Sequence, residues 1–238
     1  MGHPNLSPEN FLLLPVLLFS LMCHEIGHAF AAYRGGDDTA RLQGRISLNP
    51  LVHLDLIGTV LIPILQFFVG IPLIGWAKPV PVNPSRLRSS KWMLAVSLAG
   101  VTVNLALALL TAGILKLLLL LAPQSFLDGG EAEFSVGMAI QLLLVFFVLI
   151  NLALMLFNLV PIPPLDGSRV AFHFIRTRNS AAFRVFEFLE HFGFPILLVL
   201  VFTGLFGRIF GPILGFMLRA VAFAYRIPLL DEIGRQIS

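Results

Sequence analysis

Six long apolar stretches decide what this chain can fold into: Phe11 to Ala32, Leu54 to Trp76, Trp92 to Ala122, Phe134 to Val160, Phe183 to Leu205 and Ile209 to Tyr225. A helix of about 20 apolar residues crosses a hydrocarbon core of about 30 Å. In lipid each backbone amide and carbonyl has to be paired inside the protein, so segments of this kind become helices. Only 12% of the 238 residues are charged, against about 25% in soluble domains, and mean hydropathy is +0.90. The expected fold class is an all-α polytopic membrane protein. Connections are short and no internal repeat is evident, which makes residues 1–238 a single integral membrane domain, with a core at about 11–177 and a C-terminal helical pair at about 183–225.

The net charge of +3 comes without the dense basic cluster that nucleic-acid binding requires, so nucleic acid is not an expected partner. The basic residues are expected at membrane boundaries, with the bilayer itself as a partner. A single cysteine, Cys23, excludes an internal disulfide. The first ten residues lack the basic stretch of a signal peptide.

Inside the first apolar stretch stands His24-Glu25-Ile26-Gly27-His28. Residues four apart on a helix share a face, so the two imidazoles can grip one metal ion. Glu25 is rotated by roughly 100° from His24. It flanks the ion without ligating it, placed to take a proton from metal-bound water. Gly27 and Ala29 keep the helix thin enough for another backbone to approach closely. In a soluble protein such a pattern arises by chance as a surface or core cluster. At membrane depth each ionisable residue costs on the order of 2–4 kcal/mol, which favours function.

Two histidines leave zinc one protein ligand short of the usual catalytic three. Of the acidic residues, most lie in short polar connections where a solvated charge suffices. Asp166 differs. It closes the run Asn158-Leu159-Val160-Pro161-Ile162-Pro163-Pro164-Leu165-Asp166-Gly167, directly after an apolar stretch. Its prolines forbid a regular helix and free backbone groups, which lipid tolerates only beside protein or a watery cavity. Asp166 can also be read as the N-cap of a following helix, and the two roles are compatible.

HEIGH in the first stretch and NLVPIPPLDG after the fourth resemble the site-2 protease family of intramembrane zinc metalloproteases. The likeness extends to Gly44 to Pro50 with His53 and Asp55, to Gly75 to Pro84, and to Ser97-Leu98-Ala99-Gly100, so it covers most of the chain. It implies His24, His28 and Asp166 as ligands of one Zn²⁺ per chain, Glu25 as general base, and Asn158 as the residue that orients substrate or stabilises the oxyanion. It also implies an endopeptidase that hydrolyses membrane-spanning substrates, of the compact bacterial type without a PDZ domain and lodged in the cell membrane. Where the family reads Ala-Gly-Pro-x-x-Asn, Val101 replaces the proline before Asn104, a change expected to touch helix packing. A metal transporter or a non-catalytic zinc-binding scaffold are the alternatives. A carrier has no need of a Glu between two ligands, and no inverted repeat of the transporter kind is visible. A scaffold would be expected to lack one of the four residues.

Lysines and arginines mark cytoplasmic loops. They flank the third stretch (Lys78, Arg86, Arg88, Lys91) and follow the fourth, whereas Gln124 to Glu133 carries only acidic charge. The third stretch therefore runs outward and the fourth inward, which sets the metal site toward the cytoplasm. For His24 and His28 to share a depth with Asp166, residues 34 and 91 must lie on one side. Leu54 to Trp76 then cannot cross once and is expected to form a re-entrant hairpin. Ala77 to Pro84 reads as an extended segment able to pair edgewise with an unwound substrate, or as a tight interfacial loop.

Overall fold

The computed structural model describes residues 8–61, 77–122, 135–175 and 181–238. Helix α1 covers Pro8–Gly35, a short α2 Thr39–Leu42, α3 Ser90–Leu121, α4 Val136–Asn158, α5 Asp166–Phe174, α6 Ala181–Phe202, α7 Leu205–Tyr225 and α8 Pro228–Ile237. No strand occurs among the described residues. Five of these helices are long and apolar enough to cross a bilayer, namely α1 from Leu12, α3, α4, α6 and α7. The chain is an all-α integral membrane protein.

Helices α1, α3 and α4 pack together as the central unit. Small side chains bring α1 and α3 close: Ala29 and Ala32 are fully buried, and a methyl group added at Gly27 would stand 3.2 Å from the Ala99 carbonyl. The thin face expected around Gly27 and Ala29 is thus used. Nearer the C-terminal end of α3, Ala108, Ala112 and Leu115 pack with Val148 and Leu152 of α4 and Leu218 of α7. Helix α4 is capped by Ser135, whose hydroxyl accepts from the Met138 amide. It ends at Asn158, three residues before the first proline of the Pro161–Pro164 run.

The ends of the Leu54–Trp76 stretch meet. The Lys78 amide donates to the His53 carbonyl at 2.9 Å, and Arg45 clasps both sides by donating to the carbonyls of Val52, Lys78 and Pro79. A single crossing would hold the two flanks about 30 Å apart; His53 and Lys78 instead lie at one level. The stretch opens with a π-helical turn, Leu56–Leu61; the remainder, 62–76, lies outside the described residues, and with it the bend of the expected hairpin. His53 donates from Nε2 to the Ser47 carbonyl and Asp55 accepts from the Gly58 amide, which shapes the entry to this stretch.

The C-terminal pair breaks earlier than its sequence suggests. Gly207 and Arg208 read as the separator, but both lie inside α7. The break is at Gly204, whose φ of +72° is the left-handed conformation that favours glycine. Helix α8 was hidden from hydropathy because Asp231, Glu232 and Arg235 dilute it. Pro228 at its first position starts it, and Leu230 and Gly234 bury its inner face.

Candidate metal centre

His24 and His28 lie one turn apart on α1, as the spacing requires. Asp166 opens α5, which the proline run turns back against α3. All three are buried, at 4%, 6% and 7% exposure. Their donor atoms form a near-equilateral triangle: His24 Nε2 to His28 Nε2 3.0 Å, His24 Nε2 to Asp166 Oδ2 3.1 Å, and His28 Nε2 to Asp166 Oδ2 2.9 Å. Asp166 is not the N-cap: α5 begins at Asp166 itself, with Leu165 in the cap position.

The protons say what this triangle is for. His28 Nδ1 lies 2.7 Å from the Val96 carbonyl, which can only accept, so Nδ1 carries the hydrogen and Nε2 a lone pair. His24 Nδ1 donates to Asn104 Oδ1 at 2.6 Å, with the same consequence. Asp166 Oδ2 is buried and has no hydrogen-bond partner. With both imidazoles neutral, three acceptor atoms converge without a donor among them, an arrangement that is repulsive unless a cation lies between. Donors held by tetrahedral zinc at about 2.0–2.2 Å stand about 3.3–3.6 Å apart, so the three separations are a little tighter than a bound ion would set. His₂-carboxylate suits zinc and leaves a fourth place open. The residues present fit the ion.

Glycines complete the seat. A methyl group at Gly100 of α3 would stand 2.4 Å from the His24 ring, and one at Gly167 would strike the Leu159 carbonyl. Asn104, named in the sequence only as the end of the Ala-Gly-Pro-x-x-Asn pattern, is a neighbour of the site whose role sequence reading passes over. The available signal was a polar residue in the middle of an apolar helix.

Glu25 does not join the triangle. Its Oε2 accepts from the Val80 amide at 2.9 Å. Pro79 and Pro81 have no N–H, so Val80 carries the only amide donor in that tripeptide, and it is spent on Glu25. Asn158, at the end of α4, donates one Nδ2 hydrogen to the Leu154 carbonyl on its own helix; it is not among the atoms of the triangle. The Ala77–Pro84 segment is bound to the end of α1 by Asp37, which accepts from the Asn83 amide at 2.6 Å and from the Thr39 amide and hydroxyl. Burial works to raise the Asp37 carboxyl, but these hydrogen bonds and the nearby Arg86 charge outweigh it and hold the group below its ordinary range. Arg86 also pairs with Asp38 at 2.6 Å, so residues 34–45 and 78–91 share one side.

A buried His₂-Asp triangle between membrane helices, with a Glu on the next position of the same helix, defines a membrane-embedded metallopeptidase. The comparisons with known proteins agree. The model of Peptidase family M50 matches residues 12–200, and the chain belongs to that family, the site-2 proteases. It is 36% identical over 210 residues to YwhC of Bacillus subtilis (strain 168), named as a zinc metalloprotease, covering 85% of each chain. It is 30% identical over 199 residues to Rip2 of Mycolicibacterium smegmatis, also named as a zinc metalloprotease, covering 84% of this chain and 70% of that one. Rip2 of Mycobacterium tuberculosis (strain H37Rv) is 37% identical over 151 residues, 63% of this chain and 52% of its own. No solved structure matches the chain. The protein is a zinc metalloprotease of the membrane.

Proposed function

We propose that the protein is an intramembrane endopeptidase that holds one zinc ion on His24, His28 and Asp166 and uses Glu25 as its general base. The observation that carries this reading is the convergence of three buried ligand atoms, from His24, His28 and Asp166, within 3.1 Å of one another. Bound zinc supplies Lewis acidity, activating a water and polarising the scissile carbonyl. Glu25 takes the proton on its carboxylate and passes it to the leaving amine. Asn158 donates its second Nδ2 hydrogen to the oxyanion.

The substrate is a membrane-spanning segment that unwinds beside Ala77–Pro84 and pairs with that edge through its main chain. The Val80–Glu25 hydrogen bond supports this, because it sets the edge directly against the base. Catalytic core and C-terminal pair (about 11–177 and 183–225) form one peptidase domain. Arg34, Arg41, Arg86 and Arg88, which line one cavity beside the C-terminal end of α1, favour a cytoplasmic mouth in a bacterial cell membrane.

The test is cleavage of a single-span substrate in liposomes by wild type and Glu25→Gln, with and without a chelator. Loss of a general base costs about 10²–10⁴-fold, so the variant is expected to fall by that much while still holding one zinc, and chelation to abolish cleavage. Equal cleavage by the variant would overturn the role of Glu25. Zinc binding without cleavage of any spanning segment would favour the scaffold reading.

A further inference from the structure

We propose that Asn151 and Ser20 are positioning residues of the metal centre, acting through Asn104 to lock His24 in the tautomer that offers Nε2 to the ion. The inference rests on His24 being a ligand and extends that reading two residues deeper into the bundle.

The chain of deduction starts at a backbone carbonyl. Phe147 O accepts and cannot donate, and it lies 2.8 Å from one terminal atom of the Asn151 amide, so that atom is Nδ2. The second hydrogen of Nδ2 goes to Ser20 Oγ at 2.9 Å. The other terminal atom, Oδ1, therefore faces Asn104 and has to accept, and Asn104 Nδ2 donates to it at 2.8 Å. That fixes the orientation of Asn104, leaving its Oδ1 toward His24 Nδ1 at 2.6 Å. An acceptor there requires the hydrogen on Nδ1. Neutral imidazole has one N–H, so Nε2 is bare.

Burial makes the relay strict. Ser20, Asn104 and Asn151 are each 0% exposed, so no solvent can stand in for a missing partner, and lipid cannot. The members come from three different helices, α1, α3 and α4. Two asparagines fully buried between membrane helices are costly residues to keep there. Their hydrogen bonds donate in one direction, from the His24 imidazole through Asn104 and Asn151 to a helix carbonyl. The two histidines thus have their tautomers set by different means. His28 relies on one backbone carbonyl, which side-chain substitution does not remove. His24 relies on side chains, which it does.

The proposal is tested by zinc affinity, measured by chelator competition on the purified full chain, with thermal stability of the metal-free protein alongside. In Asn151→Leu the Asn104 amide loses its acceptor and can turn Nδ2 toward His24, shifting the imidazole hydrogen to Nε2. Zinc affinity is expected to fall about 10–100-fold, the range for outer-shell partners of metal ligands. Asn151→Ala serves where leucine does not fold. Adding Asn104→Asp restores the affinity, because a carboxylate in that place can only accept from Nδ1, whatever residue 151 does. Unchanged affinity in both Asn151 variants overturns the relay, as does a loss that Asn104→Asp fails to rescue, which marks a packing role only. Wild type that binds no zinc would instead overturn the metal reading itself.

Discussion

Helices α1, α3 and α4 and the pair α6 and α7 are built from similarly apolar sequence and use it differently. Among the described residues, each fully buried polar or charged side chain, from Ser20 to Ser168, lies before α6. The central three-helix unit keeps Ser20, His24, His28, Asn104 and Asn151 among its buried polar residues, each with a partner. Helix α6 buries only Gly193 and Leu197 and exposes Phe188, Phe192, Phe194 and Phe202. Lipid offers no polar partner, so a buried amide or imidazole persists only inside a fully satisfied network. The contrast separates helices built around chemistry from helices built to cover and to face lipid.

The sharpest way to break the comparison is to disturb the central contact without removing a functional group. Gly100→Ala adds one methyl group 2.4 Å from the His24 ring. Overpacking of a well-filled contact costs about 1–3 kcal/mol, and here the neighbour that must yield is the proposed zinc ligand His24. Zinc content and cleavage are both expected to be lost, whereas Gly207→Ala in α7, with nothing within 4 Å, leaves both unchanged. Full zinc occupancy in Gly100→Ala would show that the ring has slack.

Val80→Pro removes the single amide that reaches Glu25. A hydrogen bond to a charged group contributes about 1.5–3 kcal/mol, which corresponds to roughly 10–100-fold in cleavage. Zinc content should not move, since Val80 touches no ligand. Loss of zinc along with activity would mean that the segment supports the fold and not the base.

Much of this was legible in advance because its signals are local. Four-residue spacing places His24 and His28 on one face whatever surrounds them, and the apolar stretches match α1, α3 and α4 to within a few residues. Asp166 was legible because prolines after an apolar stretch demand an explanation. The bond from Val80 to Glu25 and the role of Asn104 were not, since both depend on which faces of distant helices meet. Periodicity says that a face is apolar, not which partner it finds. The break at Gly204 was misplaced for another reason: glycine and arginine at 207 and 208 look like a separator, but only a backbone φ identifies the residue that turns.

A smaller effect is expected at the join between α1 and the Ala77–Pro84 segment. The Asp37 carboxyl titrates below its ordinary range when folded, so its contribution is complete above that range and is lost as pH falls through it. Below about pH 4, the ordinary carboxylate value, wild type is expected to lose thermal stability steadily. Asp37→Asn is expected to start lower, by about 1–2 kcal/mol at neutral pH for the weakened hydrogen bonds, and to lack that share of the acid slope. Parallel acid limbs for the two proteins would remove Asp37 from the account.

The smallest effect belongs to the other side of the comparison. Phe216 and Phe223 of α7 are 69% and 87% exposed, and no ring contact involves either among the described residues. If these rings only face lipid, Phe216→Leu and Phe223→Leu exchange one apolar surface for another, and substitutions of this kind stay within about 0.5 kcal/mol. Melting temperature and zinc content are expected to match wild type, with cleavage within twofold. Phe206→Leu is the control, because that ring packs edge-on against Phe157 at 5.3 Å and stacks on Phe210, in the small core that also holds Val160 and Leu165 beside the proline run. It is expected to lower stability measurably where the other two do not. A Phe223→Leu variant that loses cleavage while keeping zinc and stability would mean that α7 meets the substrate, and the line drawn between chemical and covering helices would then have to move.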